Sequence, residues 1–181
     1  MKYIGTNCDM RLVEISDAHK ILEFRLNSRL NKYLSPTEND INLQEEWILQ
    51  YKGREVKGLE YYFLVLDKVG SSVGTIRLYN IDYTNKRFTI GSWIIMENSD
   101  PRISVESLLA AENYAYHYLD LEGNYFDVRK ANKSVIRFHK KRGADLIAED
   151  DLNYYFVLTR PSFDKYIKII QDFISLGNFI M

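Results

Sequence analysis

The chain of 181 residues has a single cysteine, three prolines and no long apolar run. A lone Cys8 cannot build an internal disulfide framework, which fits a reducing compartment. With so little proline and no Pro/Gly-rich or low-complexity stretch, nothing separates one part of the sequence from another. The length suits one domain with a real core better than two, so residues 1–181 are expected to form one unit. No segment approaches the roughly 18 apolar residues that cross a bilayer. The opening MKYIGTNCDMRLVE also lacks the apolar centre of a signal peptide. The expectation is a cytoplasmic protein without a membrane partner. Charge of one sign is missing too: a formal net charge of -1 gives no electrostatic case for nucleic acid. His19 and His117 fall on surface helices with no partners in sequence, so no metal site is expected.

What is present is an ordinary globular composition with many tyrosines, which suggests hydroxyl-rich surfaces but names no ligand. Ser16 and Asp17 can cap a helix whose apolar face carries Ile21, Leu22 and Phe24. The polar stretch SPTENDINL leads to a second helix around residues 45–51. Three strand candidates follow in series at 61–67, 72–81 and 87–95, joined by a short turn containing Gly70 and by the hairpin-length DYTNK. After the polar loop MENSDP, a helix over 103–119 places Val105, Leu108, Leu109, Glu112 and Tyr116 near one stripe. A strand at 124–129, a helix from Asn132 to Gly143 and a strand at 153–159 come next. The tail SFDKYIKIIQDFISL reads as an additional amphipathic helix over about 162–176, with Phe163, Ile167, Ile170, Phe173 and Ile174 on one side. A meander followed by strand–helix–strand implies an α/β (α+β) fold with a mixed sheet and helices on both faces. Ligands in such sheets sit where strand ends part. The loop feeding the helix at 103 is the natural place for an anion.

The segment DVRKANKSVIRFHKKRGA at 127–144 carries more than packing requires. Val135, Ile136 and Phe138 suit a buried face; Asn132 at the mouth and His139 two turns in do not follow from it. This segment, with IGSWII at 90–95, resembles the GNAT superfamily of acetyl-coenzyme A-dependent N-acyltransferases, over roughly residues 10–160. The resemblance implies a mostly antiparallel sheet splayed in a V near IGSWII, with acetyl-CoA as co-substrate. It puts Asn132 against coenzyme A and His139 where the family usually has a tyrosine facing the acyl sulfur. On this reading Val135, Phe138 and Lys141 also border the cofactor, and Trp93, Ile94 and Ile95 offer backbone N–H groups where the strand bulges. His139, with a pKa near 6.5, is then expected to deliver a proton to the departing thiolate or to hydrogen-bond it.

The pyrophosphate loop departs from the family pattern. Residues 98–104, NSDPRIS, contain no glycine, so the backbone has no special freedom to approach phosphates. Arg102 is expected to compensate by direct ion pairing, beside Ile103 and Ser104 at the helix start. The bland alternative is a capped helix start, with Asp100 as N-cap and Pro101 next. Glu106 is read as complementing the helix dipole. Arg137, Lys140, Lys141 and Arg142 form a basic cluster that is either an anion site or a solvated helix face.

In the family the first two helices and their loop form the acceptor side, and FRLNSRLNKYLSP supplies Arg25, Asn27, Arg29 and Tyr33 there. Arg77 and Tyr79 alternate onto the same strand face and line the same cleft. This polarity suits an amino sugar on a nucleotide carrier in surface-polysaccharide synthesis. The runner-up acceptor is a protein N-terminus or another small amine, as in the ribosomal-protein acetyltransferases. A non-catalytic binding module with the same fold is the second class of reading. Asp82 and Asp127 are the carboxylates to test as general base, and a homodimer is compatible with the sequence.

Overall fold

The computed structural model describes residues 1–180 and contains, among them, nine strands and five α-helices. In chain order these are β1 (Lys2–Ile4), β2 (Asp9–Leu12), α1 (Ala18–Leu26), α2 (Ile41–Val56), β3 (Tyr61–Leu66), β4 (Ser72–Asp82), β5 (Arg87–Ile95), α3 (Pro101–Asn113), β6 (Gly123–Arg129), α4 (Lys133–Lys141), β7 (Asp145–Glu149), β8 (Asn153–Thr159), α5 (Arg160–Ile170) and β9 (Asn178–Ile180). One sheet takes all the strands in the order β7-β8-β6-β5-β4-β3-β2-β1-β9. Each neighbouring pair is antiparallel except β5–β6, which is parallel.

Alternation along β3 builds both faces of the sheet. Tyr62 and Leu64 join Ile21 and Phe24 of α1 and Ile48 and Tyr51 of α2 in one core. Phe63 and Val65 point the other way, into a larger core with Leu108 and Leu109 of α3, Ile136 of α4 and Phe163 of α5. Burying each such side chain contributes about 1.5–3 kcal/mol, so the two cores fix the helices to opposite faces. A π-helical turn at Tyr114–Tyr118 extends α3, which explains why the apolar stripe ran on to Tyr116. Gly143, at φ +85°, lets α4 stop: Ala144 N–H reaches back to His139 O at 3.1 Å.

Three differences from the sequence expectations concern the margins. β1, β2, β7 and β9 are short strands that no run of alternation announced. The final helix ends at Ile170 rather than near 176. Phe173 and Ile174 therefore leave the expected stripe; Phe173 N–H bonds Ile170 O in a closing turn, and the chain returns as β9 against β1.

Candidate active site

The site begins with the failure of two strands to stay together. β5 and β6 pair only at Arg87↔Gly123 and Phe88↔Asn124, and from Thr89 onward β5 has no β6 partner. On its other edge β5 stays paired to β4, with one irregularity near the hairpin, between Tyr79 and Asp82, and a second nearer the fork. Thr75 faces Ile94 and Arg77 faces Gly91, so Ile76 meets two residues, Ser92 and Trp93. Ser92 takes φ +45°, and its carbonyl accepts the Thr75 hydroxyl at 2.9 Å. This is a β-bulge at the mouth of the fork. Beyond it, Met96 N–H donates to Val73 O at 2.8 Å, so alternation turns the Ile95 N–H to the edge that β6 has left.

Helix α4 lines the far side of the gap. Asn132 caps it by accepting the Val135 N–H at 3.4 Å. Phe138 lies 6.1 Å from the Trp93 ring, and the Trp93 indole Nε1 is buried without a partner. His139 packs 4.4 Å from Phe126 of β6 and 5.2 Å from Phe138, is 5 % exposed, and has an unpartnered Nδ1. Burial, aided by the nearby Arg142 guanidinium, pushes its pKa down to about 3. The expectation of a partly protonated imidazole at neutral pH is thereby corrected: His139 is neutral. Val135 is half-buried beside it, and Lys141 is exposed.

On the opposite side of β5, between α1 and α2, a cavity of about 420 Å³ is lined by Arg25, Ser35, Thr37, Gln44, Trp47, Tyr62, Arg77 and the bulge residue Ser92, with Glu38 and Asp40 at its wall. Arg25 Nε donates to Thr37 Oγ1 at 2.6 Å. Arg77 bonds the buried Glu60, which Arg54 also holds at 2.6 Å. The Arg77 guanidinium lies 4.9 Å from the Trp47 ring and 4.5 Å from the Tyr79 ring, as the shared strand face required. Burial keeps the Tyr62 hydroxyl above the usual phenol range, despite Arg25 and Arg77 nearby. Trp47, Tyr62 and Gln44 escaped the sequence reading, because α2 and β3 contribute them through packing that no local motif signals.

Other sequence-predicted residues are placed elsewhere. Asn27 and Arg29 face Glu97, with Arg29 Nη1 at 3.4 Å from it, in a separate surface hollow. Tyr33 reaches Ala131 O at 3.4 Å, so the α1–α2 loop spans from β5 to the start of α4. At the head of α3, Asp100 Oδ1 accepts the Arg102 N–H at 2.9 Å, and the Arg102 guanidinium closes on the same carboxylate at 2.6 Å. Ile103 is buried, its N–H given to Asp100 O at 2.9 Å, and the Ser104 carbonyl accepts the Ser107 hydroxyl. The capped-helix reading thus describes this turn. Glu106 is no dipole partner on the surface: fully buried, it receives Tyr3 OH, the Thr6 and Asn7 N–H groups and Asn7 Nδ2, all within 3.0 Å. Arg142 leaves the basic cluster altogether and turns inward to Glu112. Asp82 holds its own turn by accepting from Asn85, and Asp127 is exposed on β6; neither lines the cavity.

A parallel pair that parts beside a bulge, leaving an unpaired strand edge on one side and a cavity of about 420 Å³ on the other, is the splayed sheet the resemblance implied. The family signature "Acetyltransferase (GNAT) domain" matches residues 9–145. The chain belongs to the GNAT acetyltransferase family. The structure of apo FdhC, titled a nucleotide-linked sugar GNAT, is 36% identical, with 97% of this chain and 99% of that chain covered at a TM-score of 0.88. A Bacillus subtilis (strain 168) protein, YdaF, assigned provisionally as a ribosomal N-acetyltransferase, is 28% identical over 127 residues, 65% of this chain and 67% of its own length. The ribosomal-protein-S5-alanine acetyltransferase of Vibrio fischeri shares the fold at 15% identity and a TM-score of 0.76, over 88% of this chain and 96% of its own. The chain is accordingly an N-acetyltransferase, and members of this family use acetyl-CoA. The gap fits such a donor: it offers an unpaired strand edge, and two buried nitrogens, Trp93 Nε1 and His139 Nδ1, stand without partners beside it. The head of α3 fits its phosphate end less well, because Asp100 already takes the first donors.

Proposed function

We propose that the chain transfers an acetyl group from acetyl-CoA to the primary amine of an amino sugar carried on a nucleotide, a step of the kind used in surface-polysaccharide synthesis. The observation that carries this reading is the cavity at the bulge. Arg25 has hydroxyl and carbonyl partners but no carboxylate among the described residues, which leaves a cation for a phosphate. Ser35, Thr37 and Gln44 supply hydroxyl and amide groups suited to a sugar, and Trp47 and Tyr62 supply flat apolar faces. The likeness to FdhC supports the same acceptor class.

Acetyl-CoA, held between β5 and α4 by Trp93, Ile95, Asn132, Val135 and Phe138, supplies an acyl carbon activated as a thioester. The net change exchanges a C–S bond for a C–N bond and moves one proton from nitrogen to sulfur. The chain's contribution is mainly positioning: the bulge puts the acceptor cavity and the donor gap on either side of one strand. Free N–H groups near Trp93 and Ile95 are available to a developing oxyanion. His139, neutral in its apolar setting, serves as a hydrogen-bonding group toward the departing sulfur rather than as a charged acid.

The test is a panel following release of free thiol, with amino-sugar nucleotides, peptides bearing free N-termini, and polyamines as acceptors. Turnover confined to an amino-sugar nucleotide is expected. Faster turnover of a peptide or polyamine overturns the acceptor assignment, and failure of calorimetry to show acetyl-CoA binding overturns the donor assignment.

A further inference from the structure

The fork between β5 and β6 has a side chain set into its crotch. In a parallel ladder whose last pair is Phe88↔Asn124, the next β5 amide facing β6 is that of Ile90. Its N–H does not meet a β6 carbonyl; it is taken at 3.2 Å by Oδ1 of Asn124. An amide side chain thus substitutes for the backbone at the point where the strands part. Nδ2 of the same residue donates to Glu112 Oε1 of α3 at 3.1 Å. The other Glu112 oxygen pairs with Arg142 Nη2, and both side chains are fully buried. Arg142 is the C-cap of α4, and its guanidinium lies 5.1 Å from the Phe138 ring. A continuous polar line therefore runs from the fork, through α3, to the helix that carries Asn132, Phe138 and His139.

Packing alone does not call for such a line. Burying an ion pair costs several kcal/mol in desolvation, and apolar residues of similar volume are often as stable in its place. Two Arg142 nitrogens, Nε and Nη1, have no partner at all, so the pair is not even fully satisfied. What the line supplies is geometry: Asn124 ends the β5–β6 ladder after two pairs, and Arg142 seats α4 at a fixed distance from that end.

We propose that Asn124, acting with Glu112 and Arg142, is a positioning residue that sets the width of the β5–β6 gap and the seat of α4 across it. This rests on the reading of that gap as the coenzyme A site, but not on the identity of the acceptor. Two variants test it, each followed by thermal melting, by hydrogen exchange of the Ile90 amide and by calorimetry with coenzyme A. Asn124→Leu is expected to speed Ile90 exchange and weaken coenzyme A about tenfold each. The double variant Glu112→Leu with Arg142→Met keeps the volume apolar, so it is expected to melt within a few degrees of the parent yet bind coenzyme A about tenfold more weakly. Should Asn124→Leu not fold, the double variant decides. Unchanged coenzyme A affinity in a folded variant overturns the proposal and leaves the line as packing. A parent protein that fails to bind coenzyme A instead overturns the reading of the gap, and the positioning role with it.

Discussion

The two sides of β5 solve different problems with different materials. Toward α1 and α2 the polar groups are side chains, several of them charged: Arg25, Arg77 and Glu60, with hydroxyls between them. Toward β6 and α4 they are backbone amides, a buried indole and a neutral imidazole, set among Phe126 and Phe138. One side can distinguish ligands by charge and hydroxyl pattern. The other presents an unpaired strand edge among aromatic rings, with few charges to discriminate by. Under the proposed function the first side takes the acceptor and the second the donor, with the bulge at Ser92 between them.

If the two sides are separable, the largest effect should come from Arg77. Arg77→Ala removes a guanidinium stacked on Trp47 and leaves the buried Glu60 with Arg54 alone. Acceptor kcat/KM is expected to fall roughly 10³-fold, with coenzyme A affinity by calorimetry unchanged. A matching loss of coenzyme A affinity would show that the sides are coupled. On the donor side, His139→Phe is expected to lower kcat by roughly 10²-fold with coenzyme A affinity nearly unchanged. His139→Tyr should retain activity, since a phenol can also hydrogen-bond sulfur. Full kcat in both variants would make His139 a packed core residue.

The same histidine separates the sides by pH. Its folded pKa, about 3, lies below the unfolded value near 6.5, so the unfolded chain binds a proton that the folded chain refuses. The stability this confers is present above pH 6.5 and is lost as pH falls toward 3. Between pH 7 and 5 the loss is about 2 kcal/mol. Comparing melting of the parent and His139→Phe at both values should show that slope in the parent and its reduction in the variant. An equal slope in both would place the titration elsewhere. The smallest effect is expected at Arg102, whose guanidinium is exposed and already closed on Asp100. Arg102→Ala should change the coenzyme A dissociation constant by less than about threefold at physiological salt; a tenfold loss would restore it as a phosphate ligand.

Much of this molecule was legible because its central strands are long and apolar. The meander at 61–95 and the strand–helix–strand after it follow from periodicity. The missing strands are short pieces toward the two ends of the sheet: every residue of β7 is exposed, and β1, β2 and β9 hold three or four residues each. Such strands exist through their neighbours, not through their own pattern. The closing helix was read too long because apolar spacing continues past Ile170, whereas the chain must turn there to reach β1. At the site, the segment at 127–144 pointed to His139 but not to its charge, which depends on Phe126 and Arg142 packing around it. A carboxylate on the apolar stripe of α3, Glu112, was the one available sign of the buried network. Its partners Asn124 and Arg142 come together only in the folded chain.

The small β1–β9 ladder has a practical consequence. Lys2 stands opposite Ile180 across a hydrogen-bonded register, so the two described extremities of the polypeptide meet at one margin of the sheet, with the whole sheet between them and β7. A few linking residues can bridge them, and the exposed turn at 83–85 is a natural place to cut a new opening. A circularly permuted chain made this way would begin with β5 and end with β4, so that synthesis delivered the bulged strand first and its antiparallel partner last.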